Sequence, residues 1–359
     1  MIKKIILILF SSFLTLICCE ILVRFIYPQN LKGYYMEQNQ SGLWKLKNNY
    51  KYYDRFKGKT YIYKTGSYRN RLTNPKKKNK EQVLILGDSF TFGYRLSDEY
   101  TYVARLQNEF PEYYFVNSAS PGWGLSDYTR FIEDYCENFE SKNIIIFLNT
   151  DDIGRVFFSN QYWLRDGKII KGTQGKYNAW YVKYYEYPII GFLSKNSHLV
   201  RFTAKAILDI SRLRFNNMGQ KITSTTGKEK ILFPKKVLQS KEEVNLLLKK
   251  TKLILYRLKE KTESCGLKLY FIYSGWVDFN NDLINFNVLN PNVLFFKNSN
   301  EIFKTLNIKF YNNSSHQIMK DVNLNRIKYI IQDDHHPNKL GSKRIFEVVK
   351  DDIATILEY

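Results

Sequence analysis

Two short segments of the chain contain residue types that could together perform acyl transfer. The first is 87-GDSFTFG-93, in which Ser89 follows directly on an apolar run. A serine hydroxyl placed there can act as a nucleophile, and a helix that begins there offers backbone N–H groups to developing negative charge. A Gly-Asp-Ser tripeptide also occurs in ordinary turns, and its serine can simply cap a helix. This segment alone therefore does not establish an enzyme.

The second segment, 332-QDDHHPNKLG-341, contains two of the four histidines of the chain, His335 and His336. Asp333 and Asp334 directly precede them. An imidazole on a loop beside a carboxylate can act as a general base, with the carboxylate orienting the ring. The same residues could form half of a metal site, but no other cluster of His, Cys or paired carboxylates has the spacing of a ligand set. We therefore expect no metal and no cofactor.

The elements that must position these residues are short apolar runs ending in Gly, Asp, Ser or Asn. They occur at 82-QVLILGDSF-90, 113-YYFVNSASPGWG-124, 143-NIIIFLNTDD-152 and 268-KLYFIYSGW-276, the last after a helical pattern over 241–266. Alternating strands and helices predict an α/β domain with a mostly parallel sheet. Ligands of such sheets bind outside the carboxyl ends of the strands, which is where the polar residues fall.

The sequence resembles the SGNH/GDSL hydrolases, in particular the membrane-anchored bacterial members whose first block is G-D-S-F-T-F-G. This resemblance implies a flavodoxin-like three-layer α/β/α sandwich, Ser89 as nucleophile and the backbone N–H of Gly122 in the oxyanion hole. The segment 332–341 resembles the last block of the family, D-x-x-H-P-N, so Asp333 and His336 align as orienting acid and general base. Some anchored relatives place the acid two residues before the histidine, which would select Asp334. Of the two carboxylates we favour Asp333.

The third block of the chain departs from this family. Relatives have an Asn immediately before an Asp after the third strand, and its amide donates to the oxyanion, whereas this chain has Asn149-Thr150-Asp151-Asp152. An ionised Asp151 accepts hydrogen bonds only and would repel an oxyanion. Three interpretations stay open: Asn149 supplies the amide, Asp151 is protonated or serves another purpose, or backbone donors act alone. Loss of one oxyanion donor typically lowers the rate about 100 to 1,000-fold.

Residues 1–28 predict a membrane anchor. Lys3 and Lys4 precede fifteen uncharged residues, and the residues before Cys18 and Cys19 are too bulky for a cleavage site. We expect an uncleaved helix of about twenty residues that crosses the bilayer, rather than the buried helix of a soluble protein. If the basic start stays inside, the rest of the chain lies outside the cytoplasm.

The composition excludes wholesale disorder but does not point to a nucleic-acid partner. Of 359 residues, 55 are Lys or Arg and 34 are Asp or Glu, which gives a formal net charge of +21, and 44% are hydrophobic. No periodic basic stripe or zinc-finger spacing accompanies the charge, so we treat it as background and expect no nucleic acid to bind. Cys136 and Cys265 could form a disulfide in an oxidising compartment.

Three regions are predicted: the anchor at 1–28, a linker of short strands and turns at 29–80, and a hydrolase-like domain at 81–359. An aromatic and basic insertion is expected within the domain at about 155–240. Together these features predict an extracytoplasmic, membrane-anchored serine esterase that cleaves or transfers O-acyl esters, with envelope polysaccharide as a substrate class suggested by its location. The alternative is a catalytically impaired protein of the same fold that binds glycans or assists polysaccharide assembly.

Overall fold

The structure is a computed structural model. It describes residues 2–31, 34–73, 80–149, 151–159, 161–172, 192–193, 196–204, 206, 241–273, 299–312, 326–331, 334 and 336–358. The chain divides into two compact units, which are described separately: an anchor unit (Met1–Tyr34 with Lys176–Lys235) and a sheet unit (Tyr35–Gly175 with Lys236–Tyr359).

The anchor unit contains helix α1 (Ile2–Ile26), in which none of the 25 residues is buried. At 1.5 Å per residue it is about 37 Å long, enough to cross the hydrocarbon core of a bilayer. By length and composition it is the single candidate span among the described residues. Glu20 accepts hydrogen bonds from the backbone N–H groups of His198 and Leu199, at 3.1 and 2.8 Å. The Nδ1 atom of His198 accepts a hydrogen bond from the backbone N–H of Gln29 at 2.7 Å, so this imidazole is hydrogen-bonded within the anchor unit.

The sheet unit alternates strands and helices. In chain order its elements are β1 (Met36–Gln38), β2 (Trp44–Leu46), β3 (Lys51–Phe56), β4 (Lys59–Lys64), β5 (Glu81–Leu86), α2 (Ser89–Phe92), α3 (Tyr102–Glu109), β6 (Tyr113–Asn117), α4 (Leu125–Tyr135), β7 (Ser141–Leu148), α5 (Asp151–Phe158), β8 (Tyr162–Arg165), β9 (Lys168–Lys171), α6 (Lys241–Ser264), β10 (Lys268–Tyr273), β11 (Lys309–Tyr311), α7 (Arg326–Tyr329) and α8 (Lys339–Glu358). The predicted helix over 241–266 corresponds to α6, and the short strand β11 was not predicted.

The main sheet has the strand order β11-β10-β7-β5-β6, and every neighbouring pair is parallel. Numbered along the chain within this sheet, the order is 2-1-3-4-5, which is the flavodoxin-like doubly wound arrangement. The prediction of a mostly parallel α/β sandwich is confirmed. The other described strands form antiparallel pairs, β1–β2, β3–β4 and β8–β9.

Both faces of β5, an interior strand of the main sheet, are covered by helices. Val83 and Ile85 belong to a buried cluster with residues of α3 and α8, whereas Leu84 and Leu86 belong to a cluster with residues of α4 and α6. Side chains alternate between the two faces of a strand, so a nearly continuous apolar run satisfies both helix layers. The helices on its two faces fix the position of β5. The loop that follows β5 therefore also begins at a fixed position.

Cys136 and Cys265 form a disulfide that links the end of α4 to the end of α6, with their Cα atoms 6.2 Å apart. The pairing suggested by the sequence is confirmed. Of the predicted insertion, α5, β8 and β9 are described, whereas most of 173–240 lies outside the described residues.

Candidate active site

The candidate nucleophile stands at a sharp turn from strand to helix. Ser89 is the first residue of α2, three positions after the end of β5. The preceding Asp88 caps this helix, because its side chain accepts a hydrogen bond from the backbone N–H of Phe90 at 2.9 Å. A Cβ atom at Gly87 would lie 2.1 Å from Oγ1 of Thr91, so only glycine allows the strand to turn so closely into the helix. The sequence placed Ser89 correctly after a buried strand.

His336 is brought to this serine from the other end of the domain. Its Nε2 atom lies 2.8 Å from Oγ of Ser89. The loop before it is closed by a hydrogen bond from the backbone N–H of Ile331 to the carbonyl of His336, at 3.0 Å. The imidazole ring also packs against the rings of Phe90 and Tyr94, with centroids 5.2 and 4.9 Å away. The ring is therefore fixed both by its backbone and by its aromatic neighbours.

Asp334 occupies the other side of the imidazole. One carboxylate oxygen contacts Nδ1 of His336 and also accepts the backbone N–H of His336 at 3.0 Å. The other oxygen pairs with the guanidinium of Arg95. Burial raises the pKa of the Asp334 carboxyl, but hydrogen bonds from His336 and the positive charges of His336 and Arg95 outweigh it, so this pKa lies well below its usual range. Asp333, which we favoured for this contact, lies outside the described residues, as does His335.

This geometry has the connectivity that serine acyl transfer requires. A hydroxyl 2.8 Å from an imidazole nitrogen can pass its proton to that nitrogen. A carboxylate on the opposite ring nitrogen selects the tautomer that accepts the proton and stabilises the imidazolium that results. Ser89, His336 and Asp334 stand in this order.

A single guanidinium connects α5, which follows β7, to the loops that follow the neighbouring strands β5 and β6. Nη1 of Arg155 donates to Asp88 after β5 at 3.2 Å and to Asp152 after β7 at 2.9 Å, and it also contacts the carbonyl of Trp123 after β6. These loops form the carboxyl edge of the sheet, where Ser89 lies. Arg155 therefore fixes their mutual positions.

Asp152 lies behind the nucleophile loop and is fully buried. It accepts hydrogen bonds from the hydroxyl of Tyr128 and the backbone N–H of Asn149, both at 2.8 Å. Burial and the neighbouring charge of Asp88 raise the pKa of Asp152 well above its usual range, against the lowering effect of Arg155. In the part of the chain that the structure describes, no group of His, Cys, Asp or Glu could hold a metal ion.

The oxyanion candidates predicted from the sequence lie at the same edge of the sheet. Gly122 lies in the turn after β6 with a φ of 81°, a left-handed conformation that favours glycine. The loop of Gly122 is joined to the nucleophile loop by a hydrogen bond of 3.0 Å from the backbone N–H of Ser120 to the carbonyl of Gly87.

Of the two side chains proposed for the third block, the structure describes that of Asn149. Asn149 is almost fully buried, and its Nδ2 atom lies 3.5 Å from Oδ2 of Asp88, the residue that precedes the nucleophile. Asp151 is the first residue of α5, and its side chain lies outside the described part of the structure. The amide of Asn149 is therefore beside the nucleophile loop.

Sequence reasoning did not find the three arginines that hold this site together: Arg71, Arg95 and Arg155. Arg71 is 1% exposed, and its guanidinium donates to the carbonyls of Phe92, the last residue of α2, and of Gly93 and Leu96 after it. The available signal for Arg155 was its position three residues after an aspartate, which places the two side chains on one face of a helix.

No protein-family model matches the chain, and no curated protein matches it. Several solved structures are similar to it. One is the psychrotrophic esterase EstA from Pseudoalteromonas sp., with 15% identity and a TM-score of 0.44, covering 78% of this chain and 100% of that chain. Another is a putative lipolytic protein of the G-D-S-L family from Desulfitobacterium hafniense, with 16% identity and a TM-score of 0.39, covering 76% of this chain and 99% of that chain. At these identities the likeness concerns the fold and assigns no activity.

Proposed function

We propose that this chain is a serine esterase of the SGNH type. The observation that carries this proposal is the 2.8 Å contact between Oγ of Ser89 and Nε2 of His336, together with the carboxylate of Asp334 on the other ring nitrogen. A serine that merely capped a helix would need no imidazole beside it, and an imidazole in a core would need no ionised carboxylate. The three groups together are the minimal set for acyl transfer.

The proposed reaction begins when His336 takes the proton of Ser89 as its oxygen attacks an ester carbonyl. The backbone N–H groups of Ser89 and Gly122, with the amide of Asn149, receive the negative charge on the carbonyl oxygen. The imidazolium, stabilised by Asp334, then gives its proton to the departing alcohol, and the acyl group stays on the serine. Water completes hydrolysis, or a sugar hydroxyl accepts the acyl group in a transferase.

We assign this esterase to the outer face of a membrane, anchored by α1. The length and exposure of α1 support anchoring. The disulfide between Cys136 and Cys265 supports an oxidising compartment. An anchored enzyme in that place is suited to O-acylated carbohydrate of the cell envelope, and it interacts with the membrane through α1 rather than with nucleic acid.

The test is covalent labelling of the full-length chain, solubilised in detergent, with a fluorophosphonate. Mass spectrometry is expected to find the phosphonyl group on Ser89, and the wild type is expected to hydrolyse p-nitrophenyl acetate. Ser89→Ala should abolish both, whereas Ser264→Ala at the end of α6 should change neither. An unlabelled, inactive wild type would overturn the proposal, and glycan binding by that inactive chain would support the impaired alternative.

The amide of Asn149 gives a further prediction. Asn149→Ala is expected to lower kcat about 100 to 1,000-fold, because the oxyanion loses a donor that matters mainly in the transition state, and KM should change about threefold at most. Steady-state kinetics on p-nitrophenyl acetate provide the measurement.

Asp151→Ala is the matched comparison for the same kinetic assay and is expected to retain most of the activity. A loss on Asp151→Ala as large as that on Asn149→Ala would contradict the assignment. If neither variant lost more than about tenfold, backbone donors would act alone and Asn149 would have no part in the oxyanion hole.

A further inference from the structure

The carboxylate proposed to orient His336 has a second partner. Oδ2 of Asp334 pairs with Nη1 of Arg95, which is 239 positions earlier in the chain. The side chain of Arg95 is 17% exposed and that of Asp334 is 6% exposed, so this ion pair is largely shielded from water. Ion pairs of this kind interact more strongly than those on the surface.

Arg95 is itself held by the β3–β4 hairpin. Its backbone N–H donates to the hydroxyl of Tyr63 at 2.8 Å, and this hydroxyl in turn donates to Asp54 at 2.8 Å. Nε of Arg95 lies 3.9 Å from Oδ2 of Asp54, and its guanidinium lies over the ring of Phe56, 3.4 Å from the centroid. Residues from both strands therefore fix the backbone and the side chain of Arg95.

The backbone of Arg95 adopts a conformation that a non-glycine residue seldom takes, with a φ of 57°. This left-handed conformation is strained for a residue that has a side chain. It persists because contacts with the β3–β4 hairpin and with Asp334 stabilise it. Arg95 lies in the segment after α2, and this conformation directs its guanidinium toward the loop that contains Asp334 and His336.

We infer that Arg95 is a positioning residue for the orienting carboxylate and that the β3–β4 hairpin is part of the active site. Charges alternate along the row Asp54, Arg95, Asp334, His336, and Ser89 ends it. This inference deepens the proposed function and rests on it. The simpler alternative, in which Arg95 only fastens the hairpin to the sheet, predicts lower stability with an unchanged pH profile.

The alternating charges predict that loss of Arg95 and loss of the Asp54 charge shift the acid limb of the pH profile in opposite directions. Without Arg95 the full charge of Asp334 acts on the imidazolium, which becomes more stable, so the acid limb of kcat/KM moves to higher pH. Without the charge of Asp54, Arg95 draws more strongly on Asp334, so the acid limb moves to lower pH. The other titratable groups that face this row among the described residues are Tyr61, Tyr63 and Tyr94, and the ring of Tyr94 packs against both His336 and Arg95. Burial raises the pKa of Tyr61 and Tyr63, so these two stay neutral in the assay range.

The experiment measures hydrolysis of p-nitrophenyl acetate by the full-length chain between about pH 5 and 9. Arg95→Gln is expected to raise the acid limb by about 0.5 to 1 pH unit and to lower kcat about 10 to 100-fold with little change in KM. Asp54→Asn should lower the acid limb, and Arg95→Lys should restore part of the wild-type profile. Arg165→Gln, which removes the same charge at an exposed position of β8, is the matched control.

Shifts of the same sign for Arg95→Gln and Asp54→Asn, or shifts no larger than that of the control, would overturn the inference. NMR titration of histidine-labelled chain, with His336→Gln to assign the signal, follows the same protonation without any need for turnover. If hydrolysis dependent on Ser89 is absent while the His336 signal moves as expected, the proposed function fails and the positioning role stands. If hydrolysis is present and the signal does not move, the positioning role fails alone.

Discussion

Replacing Asp334 by asparagine is expected to lower kcat/KM for ester hydrolysis by about 10³ to 10⁴-fold. The carboxylate of Asp334 contacts Nδ1 of His336 and, in the proposed mechanism, keeps Nε2 free to accept the proton of Ser89. An amide at this position can donate to Nδ1, which leaves the proton on Nε2 and the nitrogen facing Ser89 unable to act as a base. The value of kcat/KM at about pH 8 and the rate of fluorophosphonate labelling should both fall.

Asp333→Asn is the matched variant, because it makes the same change one residue away. We expect it to stay within about tenfold of the wild type, since Asp334 holds the imidazole in the structure. A larger loss for Asp333→Asn than for Asp334→Asn would transfer the orienting role to Asp333, as the sequence first favoured.

Stability gives a second measurement on the Asp334→Asn variant. The pKa of Asp334 is lowered in the folded chain, so its ionised form contributes stability above about pH 4, and that contribution is lost as the pH falls toward the folded-state value. The difference in Tm between wild type and Asp334→Asn should therefore be larger at about pH 6 than at about pH 3.

Replacing Arg155 by methionine is expected to lower the free energy of unfolding by about 3 kcal/mol. The change leaves the carboxylates of Asp88 and Asp152 without their shared cation, and these side chains are 1% and 0% exposed. The lower end of the range for a broken buried pair is appropriate, because the side chain of Arg155 is itself 28% exposed. Thermal unfolding of the full-length chain provides the measurement.

The pH dependence of the Arg155→Met variant has a definite sign. The pKa of Asp152 is raised in the folded chain, so the folded state binds the extra proton and stability falls as the pH rises toward that value. Loss of Arg155 raises this pKa further, so the deficit in Tm should widen as the pH rises above the usual range of an aspartate carboxyl.

Two controls accompany Arg155→Met. Arg165→Met, at an exposed position of β8, is expected to change stability by at most about 0.5 kcal/mol. Adding Asp152→Asn to Arg155→Met removes one of the two carboxylates and should recover part of the loss. An Arg155→Met variant as stable as Arg165→Met at about pH 8 would show that the guanidinium does not support the three loops.

The sequence was sufficient to predict the parts of the site that depend on local patterns. The apolar run before Gly87 predicts a strand buried on both faces, and the change to polar residues after it predicts a loop at its carboxyl end. His336 stood out because histidine is rare in this chain and carboxylates precede it. These signals need no knowledge of which distant segments meet.

Arg71 and Arg95 could not be found in this way, because their partners are distant in the chain. Arg95 meets Asp334 across 239 positions, and Arg71 meets Asp98 across 27. Among the 55 basic residues of a chain with a net charge of +21, no local pattern distinguishes the few that are buried. The contact between Asp334 and His336 likewise follows from the turn of the backbone, which the spacing of neighbouring aspartates does not reveal.

The order of the strands has a consequence for biosynthesis. Ser89 follows the first strand of the main sheet, whereas the imidazole that activates it comes 247 positions later, just before α8. During synthesis, a chain that has completed β5, β6 and β7 has the serine of the proposed triad without its base. In the proposed mechanism, a product that stops before residue 336 is inert even where its strands have formed, so ester chemistry begins only when nearly the whole domain has been synthesised.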